Sequence, residues 1–488
     1  MSSQAWYAKP LPFAVSCLIV PPVGLVGLWW RPSRLWKKIG GTVLLLILTV
    51  AYLVALGLRV EMSGSGMSPI FSFRTKERKF AAVEVNRATQ AKQDVPVTLS
   101  QAAAVPSVPA YWTDFRGPLR DGIYTQMKII APWPDKGLQQ LWKQPIGGGY
   151  ASFVFGDGRA YTIEQRRNNE VVAAYDFKTG RELWTHSYAA LFEENMGGDG
   201  PRATPTFHAG LVYSLGATGH LKVLDATSGK VRWEKNILTE HHAENVQWGM
   251  CGAPLIFEDK VIVQPGGKGS SVVAYDKKTG KLIWKSQDDN AGYASPALAV
   301  LNGKQQLVTM TATRMISLDP SNGYLLWDYP WVTQFDVNSA QPIPIDATHV
   351  FVSSGYGHGA ALVEIAASAA KTVWQNTRMK NRFNSSVLRD GYVYGLDENI
   401  LACVRASDGN LMWKGGRYGY GQVLLAGEHL VVLTESGELV LVRAQPEKFT
   451  EVSKFQAIEG KTWNVPAIED GVLLVRNGEQ MAAFRIGK

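Results

Sequence analysis

Tyr175-Asp-Phe-Lys-Thr-Gly180-Arg-Glu-Leu-Trp184 is the stretch that decides the fold, because the chain repeats it. Three further copies end at Trp233, Trp284 and Trp327. In all four copies an Asp precedes the Trp by eight residues and a Gly precedes it by four. Self-similarity with a period of about 40 residues is typical of propellers that have four strands in each blade. The sequence therefore predicts an all-β fold, a β-propeller.

Each copy has the residues of a hairpin with a tight turn. The Asp side chain can accept hydrogen bonds from the backbone amides two and three residues later. The Gly supplies the positive φ that a short turn requires, and the Trp ends the strand that follows. A single hairpin cannot bury so large a ring, so we expect each Trp to pack between neighbouring blades rather than to contact a ligand. These structural residues are Trp142, Trp184, Trp233, Trp284, Trp327, Trp374 and Trp413.

The number of blades follows from the spacing and from the two ends of the repeat region. The anchor residues from Trp142 to Trp413, followed by Phe455, lie 39 to 51 residues apart. After Phe455 the sequence offers three strands, and the strand around Trp142 precedes the first complete repeat. Pairing that early strand with the last three closes the ring and hides the strand edges. This predicts eight blades, and seven stays open because the Phe455 repeat is the weakest.

Two apolar stretches precede the repeats. Residues 11–30 and 39–58 each contain twenty residues without a charge, enough to cross a hydrocarbon core of about 30 Å as helices. Between them, residues 31–38 hold four cations, and short cationic loops stay cytoplasmic. We expect a membrane anchor over residues 1–58 that forms a transmembrane helical hairpin, a flexible linker over 59–110 and the propeller over 111–488. This topology predicts a bacterial inner (cytoplasmic) membrane protein with its propeller on the periplasmic side.

Pro21-Pro22 is the weak point of the first stretch, since consecutive prolines remove helical hydrogen bonds. If the first stretch does not cross, the second can act alone as a signal anchor with the same exported domain. A lipoprotein cleavage site at Ala14-Val-Ser-Cys17 is a minor alternative.

The charge distribution argues against nucleic acid as a partner. Residues 1–110 hold twelve Lys and Arg against four Asp and Glu, an excess of eight that equals the whole formal net charge of +8. The propeller is therefore formally neutral and does not have the basic footprint that phosphate binding needs.

Candidate ligand contacts converge where the innermost strand of each blade begins. Several repeats mark this strand with a small-x-Pro signature, and the residues before it are rich in aromatic, Arg and Asn side chains. We expect a central funnel for a small ligand or a partner segment, with aromatic walls and cations that orient the occupant. The alternative is that these side chains only fill the channel and bond to one another. The candidates are Tyr150, Arg202, Trp248, Tyr293, Asn338, Arg382, Asn384, Tyr420 and Trp463.

No motif in the sequence identifies catalytic residues or a metal site. The three cysteines, Cys17, Cys251 and Cys403, are isolated and have no metal-ligand spacing. His241-His242 lies in a polar, acidic stretch, where such a pair is usually solvated.

The repeat Asp-x-x-Thr-Gly-Lys-x-x-Trp resembles that of the pyrroloquinoline quinone (PQQ) repeat family, whose fold is the eight-bladed quinoprotein alcohol dehydrogenase-like propeller. Trp112-Thr-Asp-Phe-Arg-Gly-Pro-Leu-Arg-Asp-Gly122 is also similar to a segment common in bacterial members. The resemblance implies one of two roles. Quinoprotein dehydrogenases hold PQQ and calcium in the channel, whereas non-catalytic members, such as the scaffold lipoprotein of the outer-membrane assembly machinery, keep the propeller alone.

This sequence departs from the dehydrogenase pattern. The resemblance implies that dehydrogenases often carry two adjacent cysteines in a vicinal disulfide, and this sequence has no adjacent cysteines. It also has no haem-attachment Cys-x-x-Cys-His, and the calcium and base positions of the dehydrogenases do not match residue by residue. We therefore expect a membrane-anchored, exported binding or scaffold module with a protein or small-molecule ligand at the propeller face. The alternative is a PQQ-dependent dehydrogenase that oxidises an alcohol or a sugar with calcium.

Overall fold

The computed structural model describes residues 5–62, 64, 69–73, 78–92, 109–194, 196–366 and 368–488. They divide into two units, one formed by residues 1–63 with 67–76 and the other by 64–66 with 77–488.

The described part of the N-terminal unit contains helices and one antiparallel strand pair. Only one of its described helices is long and apolar enough to cross a membrane, the 21-residue helix α3. The elements are a 3-10 turn at Trp6–Ala8, α1 Pro10–Ile19, α2 Pro21–Trp30, α3 Leu35–Ala55, β1 Leu58–Met62 and β2 Pro69–Phe73.

The first predicted span, residues 11–30, is two helices of ten residues each, and ten helical residues extend about 15 Å. The helix breaks at Val20, whose φ of −135° is not helical, because the prolines that follow cannot donate backbone hydrogen bonds. The two halves then fold against each other: a Cβ on Gly24 would lie 2.7 Å from Cys17 Cα. Arg31 Nη2 donates to Ala8 O at 3.3 Å, so the two ends of this helix pair are close together. The predicted pair of spans is therefore corrected to one candidate span.

The second unit is an eight-bladed propeller preceded by one helix, so the predicted fold and blade number are confirmed. Before the first blade come α4 Arg78–Lys92, β3 Ile123–Tyr124 and β4 Gln139–Pro145. Blades 1 to 4 follow in chain order: β5 Val154–Gly156, β6 Arg159–Arg166, β7 Asn169–Asp176 and β8 Glu182–Ala189; β9 Thr206–His208, β10 Leu211–Leu215, β11 His220–Asp225 and β12 Val231–Asn236; β13 Leu255–Phe257, β14 Lys260–Val263, β15 Val272–Asp276 and β16 Leu282–Ser286; β17 Ala297–Leu301, β18 Lys304–Met310, β19 Arg314–Leu318 and β20 Leu325–Pro330. A short helix, α5 Ile237–His241, follows blade 2.

The last blade closes the ring as the sequence predicted, with β4 as its outermost strand. Blade 7 carries an additional strand, because β3 pairs in parallel with β29. Blades 5 to 8 are β21 Ile343–Pro344, β22 His349–Ser354, β23 Gly359–Ala366 and β24 Ala369–Asn376; β25 Val387–Arg389, β26 Tyr392–Asp397, β27 Ile400–Arg405 and β28 Leu411–Arg417; β29 Gln422–Ala426, β30 His429–Leu433, β31 Glu438–Arg443 and β32 Glu451–Gln456; β33 Ala467–Glu469, β34 Val472–Arg476, β35 Gln480–Arg485 and β4.

The repeated Trp and Gly residues join neighbouring blades. In six of the seven Trp positions the indole N–H donates to a backbone carbonyl of the next blade, over 2.7 to 3.2 Å. The ring also covers the turn Gly of that blade: a Cβ on Gly280 would lie 2.8 Å from Trp233 Cε3. Glycine is therefore required for its missing side chain as well as for its φ of +70°.

Trp327 is the exception. Its indole N–H donates within its own blade, to Gln306 Oε1 at 2.8 Å. In the next blade the position four residues before Trp374 is Ala370, where the clear copies have Gly. Ala370 packs against the apolar cluster that contains Trp327.

Helix α4, within the segment predicted to be a linker, contacts the outer strands of blades 1 and 8. Arg87 Nε contacts Glu182 Oε1 at 2.7 Å, and Asn86 Nδ2 donates to Gln144 Oε1 at 3.0 Å. Residues 93–108 of that segment lie outside the described residues.

Candidate functional site

One end of the central channel is closed by the residues that enter the propeller, residues 111–122, here called the plug segment. Its backbone bonds to the innermost strands: Phe155 N donates to Trp112 O at 3.0 Å, and Phe207 N donates to Thr113 O at 2.9 Å. In blade 8, which is the neighbour of blade 1 in the closed ring, the buried carboxylate of Glu469 accepts from Trp112 N at 2.7 Å. The plug segment therefore holds together blades that are distant in sequence.

Two buried arginines complete the plug segment. Arg120 is 4% exposed and donates to Ala253 O at 3.1 Å and to Pro296 O at 2.8 Å, while Asp114 Oδ1 neutralises it at 2.9 Å. Arg116 is 1% exposed and donates to backbone carbonyls of blades 6 and 7, Ser386 O at 3.0 Å and Val423 O at 3.2 Å. Burial lowers the pKa of Arg116 to about 10, which leaves it protonated at neutral pH. With these contacts the plug segment reaches seven of the eight blades.

The other end of the channel, where the innermost strands begin, is lined by a row of aromatic rings. The ring centroids of Tyr150 and Trp463 lie 5.5 Å apart, those of Trp463 and Phe383 4.6 Å, and those of Phe383 and Tyr420 5.5 Å. The Trp463 indole N–H donates to Glu435 Oε1 at 2.7 Å, which fixes the ring in the middle of the row. We call this end of the channel the mouth.

Cations lie over the faces of these rings. Lys461 Nζ is 4.2 Å from the Trp463 ring centroid. The Arg382 guanidinium lies 4.6 Å from the Tyr420 centroid and forms an ion pair with Glu398. The Arg202 guanidinium lies 5.5 Å from the Tyr150 centroid. Cation–π contacts of this kind hold a charge near an apolar surface without removing it from solvent.

Two further predicted residues form a separate aromatic pair. The Trp248 and Tyr293 ring centroids are 5.7 Å apart. Cys251 lies in the same part of the ring, and burial raises the pKa of its thiol to about 11. It is therefore a neutral thiol near pH 7 rather than a nucleophilic thiolate.

The two predicted asparagines lie deeper than the rings. Asn338 is 1% exposed, and its amide donates to the carbonyls of Thr311, Ala312 and Trp331, each at 3.0 Å. Asn384 is also buried, and its Oδ1 accepts from a neighbouring amide, Asn381 Nδ2, at 3.1 Å. The structure thus gives Asn338 a backbone-supporting position and places Asn384 below the mouth.

The sequence reasoning did not identify Phe192, Tyr356 and Phe383. Arg382 lies 4.5 Å from the Tyr356 centroid, and Arg202 lies 4.6 Å from the Phe192 centroid. These rings belong to loops outside the aligned small-x-Pro positions, so the repeat alignment gave no signal for them. The buried roles of Arg116 and Arg120 were missed for the same reason.

The donors at the mouth do not fit the calcium site that quinoprotein dehydrogenases imply. Calcium takes six to eight oxygen ligands, carboxylates above all. The described residues contain no group of three or more His, Cys, Asp or Glu that could hold a metal ion. At the mouth, Glu398 pairs with Arg382 and Glu435 accepts from Trp463. The described cysteines are free thiols, which does not fit a vicinal disulfide.

Comparison with known proteins finds relatives of both kinds that the repeat implied. A sequence model of the family described as outer membrane protein assembly factor BamB matches residues 167–415. The protein of that name from Bordetella pertussis is 22% identical over 377 residues, covering 66% of this chain and 92% of that protein. The 1-butanol dehydrogenase (cytochrome c) of Thauera butanivorans is 27% identical over 157 residues, covering 31% of this chain. That match spans only 22% of the dehydrogenase.

Among solved structures, the quinohemoprotein alcohol dehydrogenase from Comamonas testosteroni superposes with a TM-score of 0.57 at 15% identity. The superposition covers 83% of this chain and 85% of that chain. At this identity the likeness shows the fold alone, and the fold is shared by proteins with different roles.

Proposed function

We propose, since the chain belongs to the family of the outer membrane protein assembly factor BamB, that its propeller is a membrane-anchored, exported binding or scaffold module whose mouth receives a segment of a partner protein. The observation that carries this proposal is the contrast between the two ends of the channel. The plug segment closes one end through buried arginines, whereas the other end presents half-buried aromatic rings with cations over their faces.

The mouth has the composition of a protein-binding surface. Trp, Tyr and Arg are enriched among the residues that contribute most to protein–protein affinity, and such residues cluster in the centre of an interface. Tyr150, Trp463 and Tyr420 provide adjacent rigid apolar faces, and Arg202 and Arg382 add charged donors at both ends of the row. A partner segment with apolar and acidic side chains matches this arrangement.

The relatives support a binding role over a dehydrogenase role. The match to the assembly factor of Bordetella pertussis extends over 92% of that protein, whereas the match to the 1-butanol dehydrogenase extends over 22% of the dehydrogenase. The mouth offers no calcium-ligand set, which the dehydrogenase reading requires.

Site-specific crosslinking in membranes of the producing cell tests the proposal. A photo-crosslinking amino acid at Tyr356, beside the mouth, is expected to capture a discrete partner, and the product is expected to disappear when Trp463→Ala is added. The control places the same amino acid at Tyr324, which is 73% exposed on a turn of blade 4. Identical products from both positions, or a product that survives Trp463→Ala, contradict the proposal.

The dehydrogenase alternative is tested on the purified full chain. With PQQ and calcium added, dye reduction by alcohols and sugars is measured for the wild type and for Arg202→Ala. Turnover that is lost in the variant overturns the scaffold proposal, because Arg202 lies at the mouth rather than in the plug segment.

The anchoring proposal uses α3 as the single crossing. The cations of residues 31–38 then lie on the cytoplasmic side and the propeller lies in the periplasm. Because Arg31 contacts Ala8, the N-terminus is expected on the same side as these cations. Alkaline phosphatase fused after Lys488 is expected to be active and the same reporter fused to the N-terminus inactive. Activity of both fusions supports two crossings, and activity of the N-terminal fusion alone contradicts the exported propeller.

A further inference from the structure

The loop that joins blades 1 and 2 already accepts hydrogen bonds from the polar donors of the mouth. It runs from Ala189, the end of β8, to Thr206, the start of β9. Its backbone carbonyls accept from the mouth at three glycines: the Tyr150 hydroxyl donates to Gly197 O, and Lys461 Nζ lies 3.4 Å from the same atom. Arg202 Nη2 donates to Gly198 O at 2.6 Å, and its Nη1 donates to Gly200 O.

Glycine is needed for this approach. Gly198 and Gly200 have φ values of +96° and +94°. A Cβ on Gly198 would lie 2.6 Å from the Tyr150 hydroxyl and 3.5 Å from Lys461 Nζ. The loop therefore reaches the mouth donors only because it lacks side chains at these positions.

The loop also satisfies part of its own backbone. Glu194 Oε2 accepts from Met196 N at 2.9 Å, and Gly200 N donates to Phe192 O at 3.0 Å. Arg202 also belongs to this loop, so its bonds to Gly198 O and Gly200 O fix the loop internally. The bonds of the loop to mouth residues outside it are those of Gly197 O with Tyr150 and Lys461.

The carbonyl oxygens of the loop are weaker acceptors for these donors than a carboxylate would be. Two cations and a phenol donate here to neutral carbonyl oxygens, whereas a carboxylate would accept the same hydrogen bonds with charge assistance, which makes each roughly twice as strong. A carboxylate brought to Arg202 and Lys461 is thus a better acceptor than the loop. Peptide backbone is also the occupant that the site already holds, and the row from Tyr150 to Tyr420 extends beyond it.

We propose that the Gly197–Gly200 loop is an internal placeholder, which an extended peptide segment bearing carboxylates displaces when it binds at the mouth. This inference rests on the proposed function and specifies the partner's chemistry: acidic side chains bind at Arg202 and Lys461, and apolar side chains pack on the rings. Binding then competes with the loop, so the loop sets the affinity of the partner.

The test uses a dye-labelled peptide with several Glu around one Phe, and the same peptide with Gln in place of Glu. Fluorescence anisotropy with the detergent-solubilised full chain gives the dissociation constants. We expect the Glu peptide to bind about tenfold more tightly than the Gln peptide, since it adds charge-assisted bonds. Arg202→Gln is expected to remove that preference.

The loop itself is tested with Gly198→Ala. The added methyl group cannot approach Tyr150, so the variant is expected to release the loop and tighten binding of the Glu peptide several-fold. The matched control is Gly210→Ala, because Gly210 also has a positive φ, +74°, and nothing lies within 4 Å of an added Cβ. Hydrogen exchange of residues 190–200 gives an independent readout. It is expected to increase in Gly198→Ala and, in the wild type, on addition of the Glu peptide.

The outcomes separate the two proposals. If both peptides bind equally and Trp463→Ala abolishes binding, the mouth binds peptides but the carboxylate inference is wrong. If Gly198→Ala leaves the affinity and the exchange unchanged, the loop is no placeholder. If glutarate competes at the concentration of the Glu peptide, the ligand is a small carboxylate rather than a peptide. If neither peptide binds and no partner is captured at Tyr356, the proposed function fails as well.

Discussion

The body of the propeller and its mouth use the same residue types in opposite ways. In the body, Trp284 donates to a carbonyl of the next blade and Arg120 donates to the carbonyls of strands that cannot move separately. At the mouth, Trp463 and Arg202 are half-buried, and Arg202 donates to the carbonyls of a loop. A side chain is therefore available for binding when its present partners can be exchanged, whatever its residue type. Matched substitutions in the two regions test this difference.

The tryptophans give the largest expected difference. Trp284→Ala removes a buried aromatic between blades and is expected to lower the free energy of unfolding by about 3 to 5 kcal/mol. Trp463→Ala is expected to cost about 1 kcal/mol, because its ring is partly exposed, while it abolishes binding at the mouth. Denaturant unfolding of the full chain measures both. If Trp463→Ala is the more damaging variant, the assignment of body and mouth is wrong.

The arginines give the second largest expected difference in the free energy of unfolding. Arg120→Met removes the donor to the buried carbonyls of Ala253 and Pro296 and the ion-pair partner of Asp114, and we expect a loss of about 3 kcal/mol. Arg202→Met is expected to change the free energy of unfolding by less than about 0.5 kcal/mol, since its partners lie in a loop in contact with solvent. Equal losses in the two variants would show that the loop contributes to the stability of the ring.

The glycines give a smaller difference. In Gly280→Ala the new methyl group meets Trp233 and the residue keeps a positive φ, so we expect a cost of about 2 kcal/mol. Gly303→Ala has a similar φ of +72° and open space around the Cβ, so it carries only the backbone cost of about 1 kcal/mol. The difference in melting temperature between the two variants measures the cost of the new contact with Trp233. Equal melting temperatures would show that the Trp233 indole shifts to make room.

The cysteines give the smallest effect. Burial raises the pKa of Cys251 to about 11 and that of Cys403 to about 12, and the thiolate is the reactive form. Alkylation of Cys251 in the folded chain is therefore expected to be slow at pH 8 and to accelerate as the pH rises towards 11. Cys403 is fully buried and is expected to react only after unfolding. Mass spectrometry of the alkylated peptides distinguishes the two, and rapid modification of Cys251 at pH 8 contradicts the raised pKa.

Much of the fold could be predicted because its signals are local. The Asp at the start of each turn bonds to amides two and three residues later, as Asp176 does to Lys178 N and Thr179 N. The Gly four residues before each Trp fixes the turn, and the spacing of the repeats fixes the number of blades. The missing Gly at position 370 is also visible in the sequence, but the bond from Trp327 to Gln306 is not, because it depends on packing within the folded blade.

The candidate site was only partly predictable. Aligning the repeats found Tyr150, Tyr420 and Trp463, since each blade contributes the same position to one end of the channel. Phe383 and Tyr356 lie in loops, whose paths the repeat does not specify. The same alignment also selected Asn338, but this residue is buried and its amide donates to backbone carbonyls.

The ring can be predicted from the sequence, because nearly every blade carries its own turn and its own Trp within about 50 residues. The end of the channel that the plug segment covers is visible only in the tertiary structure. Arg116 and Arg120 bond to residues 86 to 307 positions later in the chain, and no local pattern encodes such contacts. The same holds for the Gly197–Gly200 loop. Its glycines can be read from the sequence, but the donors to Gly197 O, Tyr150 and Lys461, come from the first and last blades.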